Sequence, residues 1–158
     1  MIKAIIFDWG GVLVDAETKE RYPDGKKVLE YCESKGYRLA LACIASKFEE
    51  RRKQIEESDI RHLFEFVLIE PMPADKIWDS TYQGKDVVFN KVNEYFDLPP
   101  EEILIVDDRT VRGIRYANQH GHPSIWVHQG KFAEELPTIE TGAPTYIAHS
   151  TSEVMQFI

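Results

Sequence analysis

Ile2-Lys3-Ala4-Ile5-Ile6-Phe7-Asp8 is a short apolar run, rich in isoleucine, that stops at an acid. Ile103-Leu104-Ile105-Val106-Asp107-Asp108 repeats the pattern about a hundred residues further on. Such runs are typical of strands that are buried on both faces of a parallel sheet. The two stretches therefore predict two core strands, each of which delivers carboxylates at its carboxyl end.

Segments of alternating type fill the chain around these two runs. Further strands are predicted over 37–43, 64–69, 124–127 and 145–148, and helices over 24–35, 47–58, 85–96, 109–120 and 151–157. Strands that alternate with helices imply crossover connections and a mostly parallel sheet covered on both faces. The fold class is therefore α/β, a three-layer Rossmann-like arrangement, and residues 1–158 are expected to form a single domain.

Composition excludes several classes of protein. The chain has 158 residues, 43% of them hydrophobic, and a formal net charge of -8. The acidic balance argues against binding to a nucleic-acid backbone, and no apolar run approaches the length of a membrane span. The first eight residues reach an acid too early for a signal peptide. With only Cys32 and Cys43 as cysteines, we expect a reduced, cytoplasmic protein.

The acids at the strand ends form a candidate catalytic set. In open parallel sheets, ligands bind beyond the carboxyl ends of the strands, so Asp8, Asp107 and Asp108 are expected to converge there. Carboxylates suit Mg²⁺, and a carboxylate can also attack a phosphoryl group. Lys85 is a candidate to balance the accumulated negative charge. Acids after strands are also ordinary turn formers and helix caps, which is the alternative interpretation.

Four motifs, in this order, resemble those of the haloacid dehalogenase (HAD) superfamily. The first lies over residues 5–15 around Asp8, and the second over 39–46 at the end of a strand. Gly84-Lys85 is similar to the third, with Lys76 as a competing lysine, and residues 103–109 are similar to the fourth. The segments between the motifs are too short for a large cap domain, so the resemblance is to a capless, magnesium-dependent phosphatase.

The resemblance implies a role for each motif residue. Asp8 would be the nucleophile and a metal ligand, and the backbone carbonyl of residue 10 a second ligand. Asp108 would be the direct metal ligand of the fourth motif, with Asp107 supporting either the metal or Lys85. The second motif, here Cys43, Ile44 and Ser46, would bind phosphate together with Lys85.

Two positions depart from the family pattern. Gly10 stands where the phosphatases have a second Asp, which protonates the leaving group, so the metal-binding carbonyl is kept and the acid is lost. Cys43 replaces a serine or threonine hydroxyl, and a thiol is a weaker donor. Cys43 also suits a small buried hydrophobe, and Ser46 either substitutes for the missing hydroxyl or is a helix N-cap.

These departures leave two functions in competition. The first is a Mg²⁺-dependent phosphohydrolase that acts through an aspartyl-phosphate on a phosphorylated small molecule or a phosphoprotein. The second is a catalytically degenerate module that binds phosphate or a partner. Dehalogenation is disfavoured because it usually requires a cap. Residues 70–84 are expected to form a loop or a short helix and are a candidate for a small lip, in which Trp78 or Tyr82 contacts substrate or packs over the sheet edge. The substrate and the oligomeric state do not follow from the sequence.

Overall fold

Six strands, all parallel, form one sheet in the computed structural model, which describes residues 1–158. In chain order they are β1 (Ala4–Phe7), β2 (Arg38–Ala45), β3 (Phe66–Pro71), β4 (Ile103–Asp107), β5 (Ser124–Val127) and β6 (Tyr146–Ala148). Across the sheet they follow the order β3-β2-β1-β4-β5-β6. The predicted parallel α/β sheet is confirmed.

Four helices cover the two faces of the sheet. They are α1 (Gly25–Ser34), α2 (Phe48–Glu56), α3 (Gly84–Phe96) and α4 (Arg115–His120). The apolar residues of α1 and α2 join one core cluster, and those of α3 and α4 join a second. The sheet separates the two clusters, so the protein has the expected three layers and no cap domain is inserted between the strands.

The packing on both faces of β1 explains why its sequence is apolar at every position. Ile5 and Phe7 pack into the first core cluster, whereas Ala4 and Ile6 pack into the second. All four side chains are completely buried, because successive residues of a strand point to opposite faces and both faces are covered by helices.

The register of the central strands brings the acids to one edge. Phe7 pairs with Leu41 of β2 on one side and with Val106 of β4 on the other. Asp8 and Asp107 are therefore level with each other, one residue beyond these pairs. The chain leaves β1 for β2 on one side and reaches β4 on the other, so the acids lie at the point where the strand order reverses, a usual ligand position in such sheets.

Three local predictions differ from the structure. Helix α2 begins at Phe48 with Lys47 as its N-cap, so Ser46 lies outside the capping position and is not the predicted cap. The closing segment, Ser152–Phe157, is a 3-10 helix rather than an α-helix. A wide π-turn, Thr110–Ile114, precedes α4. A Cβ at Gly113 in that turn would overlap the Asp107 carboxylate, so the buried acid requires glycine there.

No helix of the protein combines the length and the apolar character needed to cross a membrane. The segment between β3 and α3 contains only a short 3-10 turn, Ala74–Lys76, and otherwise runs as loop along the carboxyl edge of the sheet. We call residues 72–82 the lip, because Met72 and Ile77 line the cavity over the acids.

Candidate active site

Three carboxylates from two strand ends meet at the carboxyl edge of the sheet. One oxygen each of Asp8, Asp107 and Asp108 lies within 4.8 Å of the others. Asp107 is completely buried, and the Asp8 side chain keeps 12% of its surface exposed toward the cavity. The parallel register thus brings together the three acids that the sequence predicts to converge.

Lys85 supplies the positive charge beside these acids. It lies in the first turn of α3, and its ammonium is 2.7 Å from Asp107 Oδ2 and 3.1 Å from Asp8 Oδ2. Burial opposes its charge, but the two carboxylates outweigh burial and raise the pKa of Lys85. Lys85 therefore stays protonated. Lys76, the competing lysine, instead pairs with Asp79 on the lip at 3.5 Å.

Asp107 is already satisfied by protein groups. Its Oδ2 accepts the hydrogen bond from Lys85, and its Oδ1 accepts 2.8 Å from the backbone N–H of Arg109. A carboxylate that is engaged in this way is better suited to position Lys85 than to bind a cation directly. The geometry agrees with a supporting role for Asp107.

Asp108 is in the opposite situation. Its Oδ2 is buried and has no hydrogen-bond partner. Burial, followed by the charges of Asp8 and Asp107, raises the pKa of Asp108 well above its usual value. Burial and the Asp107 charge likewise raise the pKa of Asp8, although Lys85 partly opposes this. An unpartnered buried carboxylate beside a second acid is the donor set of a hard-cation site, so these residues fit Mg²⁺.

The turn after β1 completes this donor set. Asp8 Oδ1 accepts a 2.7 Å hydrogen bond from the N–H of Trp9, which fixes the carboxylate. Gly10 follows and lines the cavity. Gly11 has φ +81°, and a Cβ there would overlap the Asp108 carboxylate, so only glycine permits this close approach. Asp8 and Asp108 are therefore the side chains that would hold the cation, and the Gly10 carbonyl is the further ligand that the family resemblance implies.

The end of β2 and the loop that follows it form another part of the cavity wall. Ile44 and Ser46 line it, and Ser46 is exposed. Cys43 is completely buried below them, and its Sγ receives a 2.9 Å hydrogen bond from Arg51 Nη1. Burial raises the pKa of the Cys43 thiol, and Arg51 partly offsets this. Ile44 and Ser46 thus face the cavity, whereas Cys43 holds Arg51.

Arg51 occupies the space beside Gly10. Its Nη2 would lie 3.6 Å from a Cβ at position 10, an ordinary contact distance. The family acid that is missing at position 10 would project into this space. A guanidinium therefore lies beside the position at which the phosphatase pattern has an acid.

The cavity over the acids has a volume of about 100 Å³ and is lined by many cations. Besides Lys85, its positively charged residues are Lys19, Arg51, Arg109, Arg112 and Lys131. A second cavity of about 600 Å³ adjoins it and shares Lys19, Arg51 and Lys131. An acidic protein thus presents a locally cationic cavity.

Two buried arginines hold the lip against this site. Arg109 pairs with Glu135 at 2.9 Å and donates to the Ile77 carbonyl at 3.1 Å. Arg112 donates to the carbonyls of Lys76 and Ile77. The lip is therefore fixed by charge-assisted hydrogen bonds that span three segments of the chain.

The lip aromatics pack on the protein and lie outside the cavity. Trp78 is 68% exposed and lies against Phe132, with ring centroids 4.9 Å apart. Tyr82 lies near Arg112, whose guanidinium is 5.8 Å from the ring centroid. Neither aromatic lines the cavity, whose larger apolar lining residues are Ile44, Met72, Ile77 and Phe132.

Lys19, Arg51 and Lys131 line the cavity but were not predicted from the sequence as site residues. Each lies outside the four motifs, in a turn or on a helix with many charged residues. Only the crossover connections bring them to the same edge. The single available signal was the low apolar content of α2, which contains three basic residues within Phe48–Glu56.

Comparisons with known proteins agree with this geometry. The family model described as HAD-hydrolase-like matches residues 84–154. Glyceraldehyde 3-phosphate phosphatase of Pyrococcus furiosus is 27% identical over 128 residues, which cover 78% of this chain and 50% of that protein. The chain thus spans about half the length of this curated relative.

Two solved structures share the fold at low sequence identity. A haloacid dehalogenase-like hydrolase of Streptococcus pneumoniae has a TM-score of 0.72 at 17% identity, with 99% of this chain and 98% of that chain covered. The L-2-haloacid dehalogenase of Xanthobacter autotrophicus has a TM-score of 0.72 at 12% identity, with the same coverage.

The fold and the site define an α/β protein with a strand-end carboxylate cluster. The family-model match over residues 84–154 and the phosphatase relative make the chain similar to members of the haloacid dehalogenase superfamily.

Proposed function

We propose that this protein is a Mg²⁺-dependent phosphohydrolase in which Asp8 is the nucleophile. The observation that carries the proposal is the contrast between the two acids of the fourth motif. Both carboxylate oxygens of Asp107 accept hydrogen bonds, one from Lys85 and one from a backbone amide. Asp108, in contrast, has a buried oxygen without a hydrogen-bond partner beside Asp8. That asymmetry is what a cation site next to a nucleophile requires. The phosphatase relative supports the same reaction class.

Asp8 is placed to attack a phosphoryl group in the cavity. The Trp9 amide and Lys85 fix its carboxylate, and its exposed fraction faces the cavity. Fixing the nucleophile in this way lowers the entropy cost of attack. Attack would form an aspartyl-phosphate, which water then hydrolyses.

The charge of the phosphoryl oxygens would be offset by groups around the cavity. Lys85 lies on one side, and the Ser46 hydroxyl with the backbone near Ile44 lies on the other. When bound by Asp8, Asp108 and the Gly10 carbonyl, Mg²⁺ supplies electrostatic stabilisation of the transferring group. Cys43 contributes indirectly in this arrangement, because it holds Arg51.

The substrate would be a phosphorylated small molecule or a phosphoprotein, since no cap covers the cavity, and the protein is expected to act in the cytoplasm.

Gly10 favours a second candidate, a phosphate- or partner-binding module without turnover. General acid–base catalysis contributes about 10²–10⁴-fold, so its loss weakens turnover of substrates with poor leaving groups.

Hydrolysis of an aryl phosphate with Mg²⁺ tests the proposal, with Asp8→Asn compared with wild type. Asp24→Asn is the matched control, because Asp24 is exposed and its side chain makes no capping hydrogen bond at α1. We expect Asp8→Asn to lose turnover by at least about 10³-fold and Asp24→Asn to keep it.

Two results would decide against this reaction. Equal activity in wild type and Asp8→Asn would exclude Asp8 as the nucleophile. Binding of Mg²⁺ and beryllofluoride without turnover of any substrate in a broad panel would favour the non-catalytic module.

A further inference from the structure

The cavity holds more positive charge than one phosphoryl group needs. Lys85 is neutralised by Asp8 and Asp107, and Arg109 by Glu135. Lys19, Arg51 and Lys131 belong to no ion pair, although all three line both cavities. We call these three residues the cation triad.

The triad residues are held in place by uncharged partners. Lys19 Nζ donates 2.6 Å to the Ala16 carbonyl, and Arg51 donates to the Cys43 sulfur. Lys131 Nζ lies 5.4 Å from the centroid of the Trp78 ring. Such contacts fix the side chains but leave their charges available to an anion.

The three charges also act on one another. Burial first, and then the charges of Arg51, Lys131 and Lys47, lower the pKa of Lys19, while Glu50 opposes them. Like charges that repel one another at a cavity mouth are typical of a site that is completed by an anionic ligand.

Arg51 of the triad lies beside the position from which the family pattern protonates the leaving group, and Lys19 and Lys131 line the same cavity. Arg51 Nη2 is 3.6 Å from the position of a Cβ on residue 10, and an acid at that position protonates the leaving group in the family pattern. An arginine cannot donate this proton, because its guanidinium is not deprotonated in proteins. It can instead bind a leaving group that departs as an anion.

We propose that the cation triad binds the leaving phosphate of a phosphoanhydride, so that the substrate is a diphosphate rather than an alkyl phosphomonoester. This inference rests on the proposed function of Asp8. It explains the loss of the acid and the gain of the cations together, since a leaving group that is already stable as an anion needs no proton.

The chemistry balances without a general acid. An Asp8 oxygen forms a bond to the terminal phosphorus, and the bond from that phosphorus to the bridging oxygen breaks. The bridging oxygen keeps the electron pair and leaves as phosphate, whose negative charge the cation triad offsets. Water then attacks the aspartyl-phosphate, the bond to Asp8 breaks, and both water protons leave with the second phosphate.

The test compares three substrates at constant free Mg²⁺: pyrophosphate, glycerol 1-phosphate and p-nitrophenyl phosphate. We expect kcat/KM for pyrophosphate to exceed that for glycerol 1-phosphate by about 100-fold or more. Arg51→Gln should lower kcat/KM for pyrophosphate by about tenfold or more, and that for p-nitrophenyl phosphate by less than about threefold.

Arg52→Gln is the matched control, because Arg52 is the next residue of α2 and its exposed side chain pairs with Glu49. Arg52→Gln should change kcat/KM neither for pyrophosphate nor for p-nitrophenyl phosphate. Arg51→Gln removes the partner of buried Cys43, so Lys19→Gln and Lys131→Gln repeat the test at positions that do not contact the core. Each should lower kcat/KM for pyrophosphate selectively.

The possible failures are distinguishable. If aryl phosphate turnover depends on Asp8 but pyrophosphate is not preferred, or the triad variants affect all substrates equally, the leaving-group site is wrong while the phosphohydrolase stands. If no substrate shows turnover that depends on Asp8, the proposed function itself is wrong, and this inference with it.

Discussion

Lys85 donates a 2.7 Å hydrogen bond to Asp107 at a place where both side chains are almost completely buried. The same ammonium lies 3.1 Å from Asp8. One buried ammonium therefore neutralises both the fully buried Asp107 and the partly exposed Asp8. Removal of this ammonium should strongly reduce the stability of the protein, because the carboxylates cannot return to water without unfolding.

Lys85→Met should lower the free energy of unfolding by about 3–5 kcal/mol, the usual cost of breaking a buried pair by removing one partner. Urea denaturation measures it. Lys91→Met is the control from the same helix, where the lysine is half exposed and pairs with Glu70 at 3.3 Å. We expect a change of at most about 1 kcal/mol there. Equal losses would show that Lys85 does not neutralise the site.

Asp108→Asn should stabilise the metal-free protein at neutral pH by about 1–3 kcal/mol, because it removes a buried unpartnered charge. Because the folded-state pKa of Asp108 is raised above its unfolded-state value, its cost to stability is absent at acidic pH and grows as the pH rises from the unfolded-state pKa toward the folded-state pKa. The advantage of the variant should therefore shrink as the pH falls, while its stabilisation by added Mg²⁺ should be lost.

Asp107→Asn provides the contrast to this result. It removes the acceptor of Lys85 and should destabilise the protein, although it changes the charge by the same amount. Thermal unfolding with and without Mg²⁺ compares the two variants. A loss of stability in Asp108→Asn would contradict an unpartnered Asp108.

Gly10→Asp should restore proton transfer to poor leaving groups, and a Cβ at this position meets nothing closer than 3.6 Å. The neighbouring Arg51 guanidinium would lower the pKa of the new carboxyl and keep it ionised. We therefore expect a small gain with glycerol 1-phosphate from Gly10→Asp alone. A larger gain, toward about 10²-fold, should follow when Arg51→Gln is added. No gain in the double variant, with the fold and Mg²⁺ binding intact, would locate the defect elsewhere.

Arg109→Gln should loosen the lip, because Arg109 joins Glu135 to the Ile77 carbonyl from a buried position. Amide hydrogen exchange over residues 72–82 should accelerate by about tenfold or more, while exchange within α3 stays unchanged. Arg115→Gln is the control, since Arg115 pairs with Asp86 on α3 and makes no hydrogen bond to the lip. Acceleration in both variants, or in neither, would contradict this role of Arg109.

The sheet and its acids were predictable because the signals are local. A strand buried on both faces has to be apolar at every position, and β1 is read directly from Ala4–Phe7. A parallel sheet then brings all strand ends to one edge, so the meeting of Asp8 with Asp107 and Asp108 follows from the alternation of elements. The roles of these residues in catalysis stay predictions.

Helix ends were less predictable, because they depend on one or two backbone angles. Ser46 has the residue type of an N-cap, yet helix α2 starts with Lys47 as its cap. The loop after β2 continues one residue further and turns Ser46 toward the cavity. The final helix similarly closes as a 3-10 segment.

The sequence by itself determined the fold class, the order of the motifs and the loss of an acid at Gly10. Only the tertiary structure decided which charged side chains pair with one another. Lys85 donates a hydrogen bond to Asp107, whereas Asp108 Oδ2 has no partner. Arg51 donates a hydrogen bond to Cys43 and lies beside Gly10. The physical reason is that these two kinds of interaction act between residues at very different separations in the sequence. Strand and helix patterns depend on neighbours within a few residues, whereas an ion pair depends on which side chains the crossovers bring within a few ångströms.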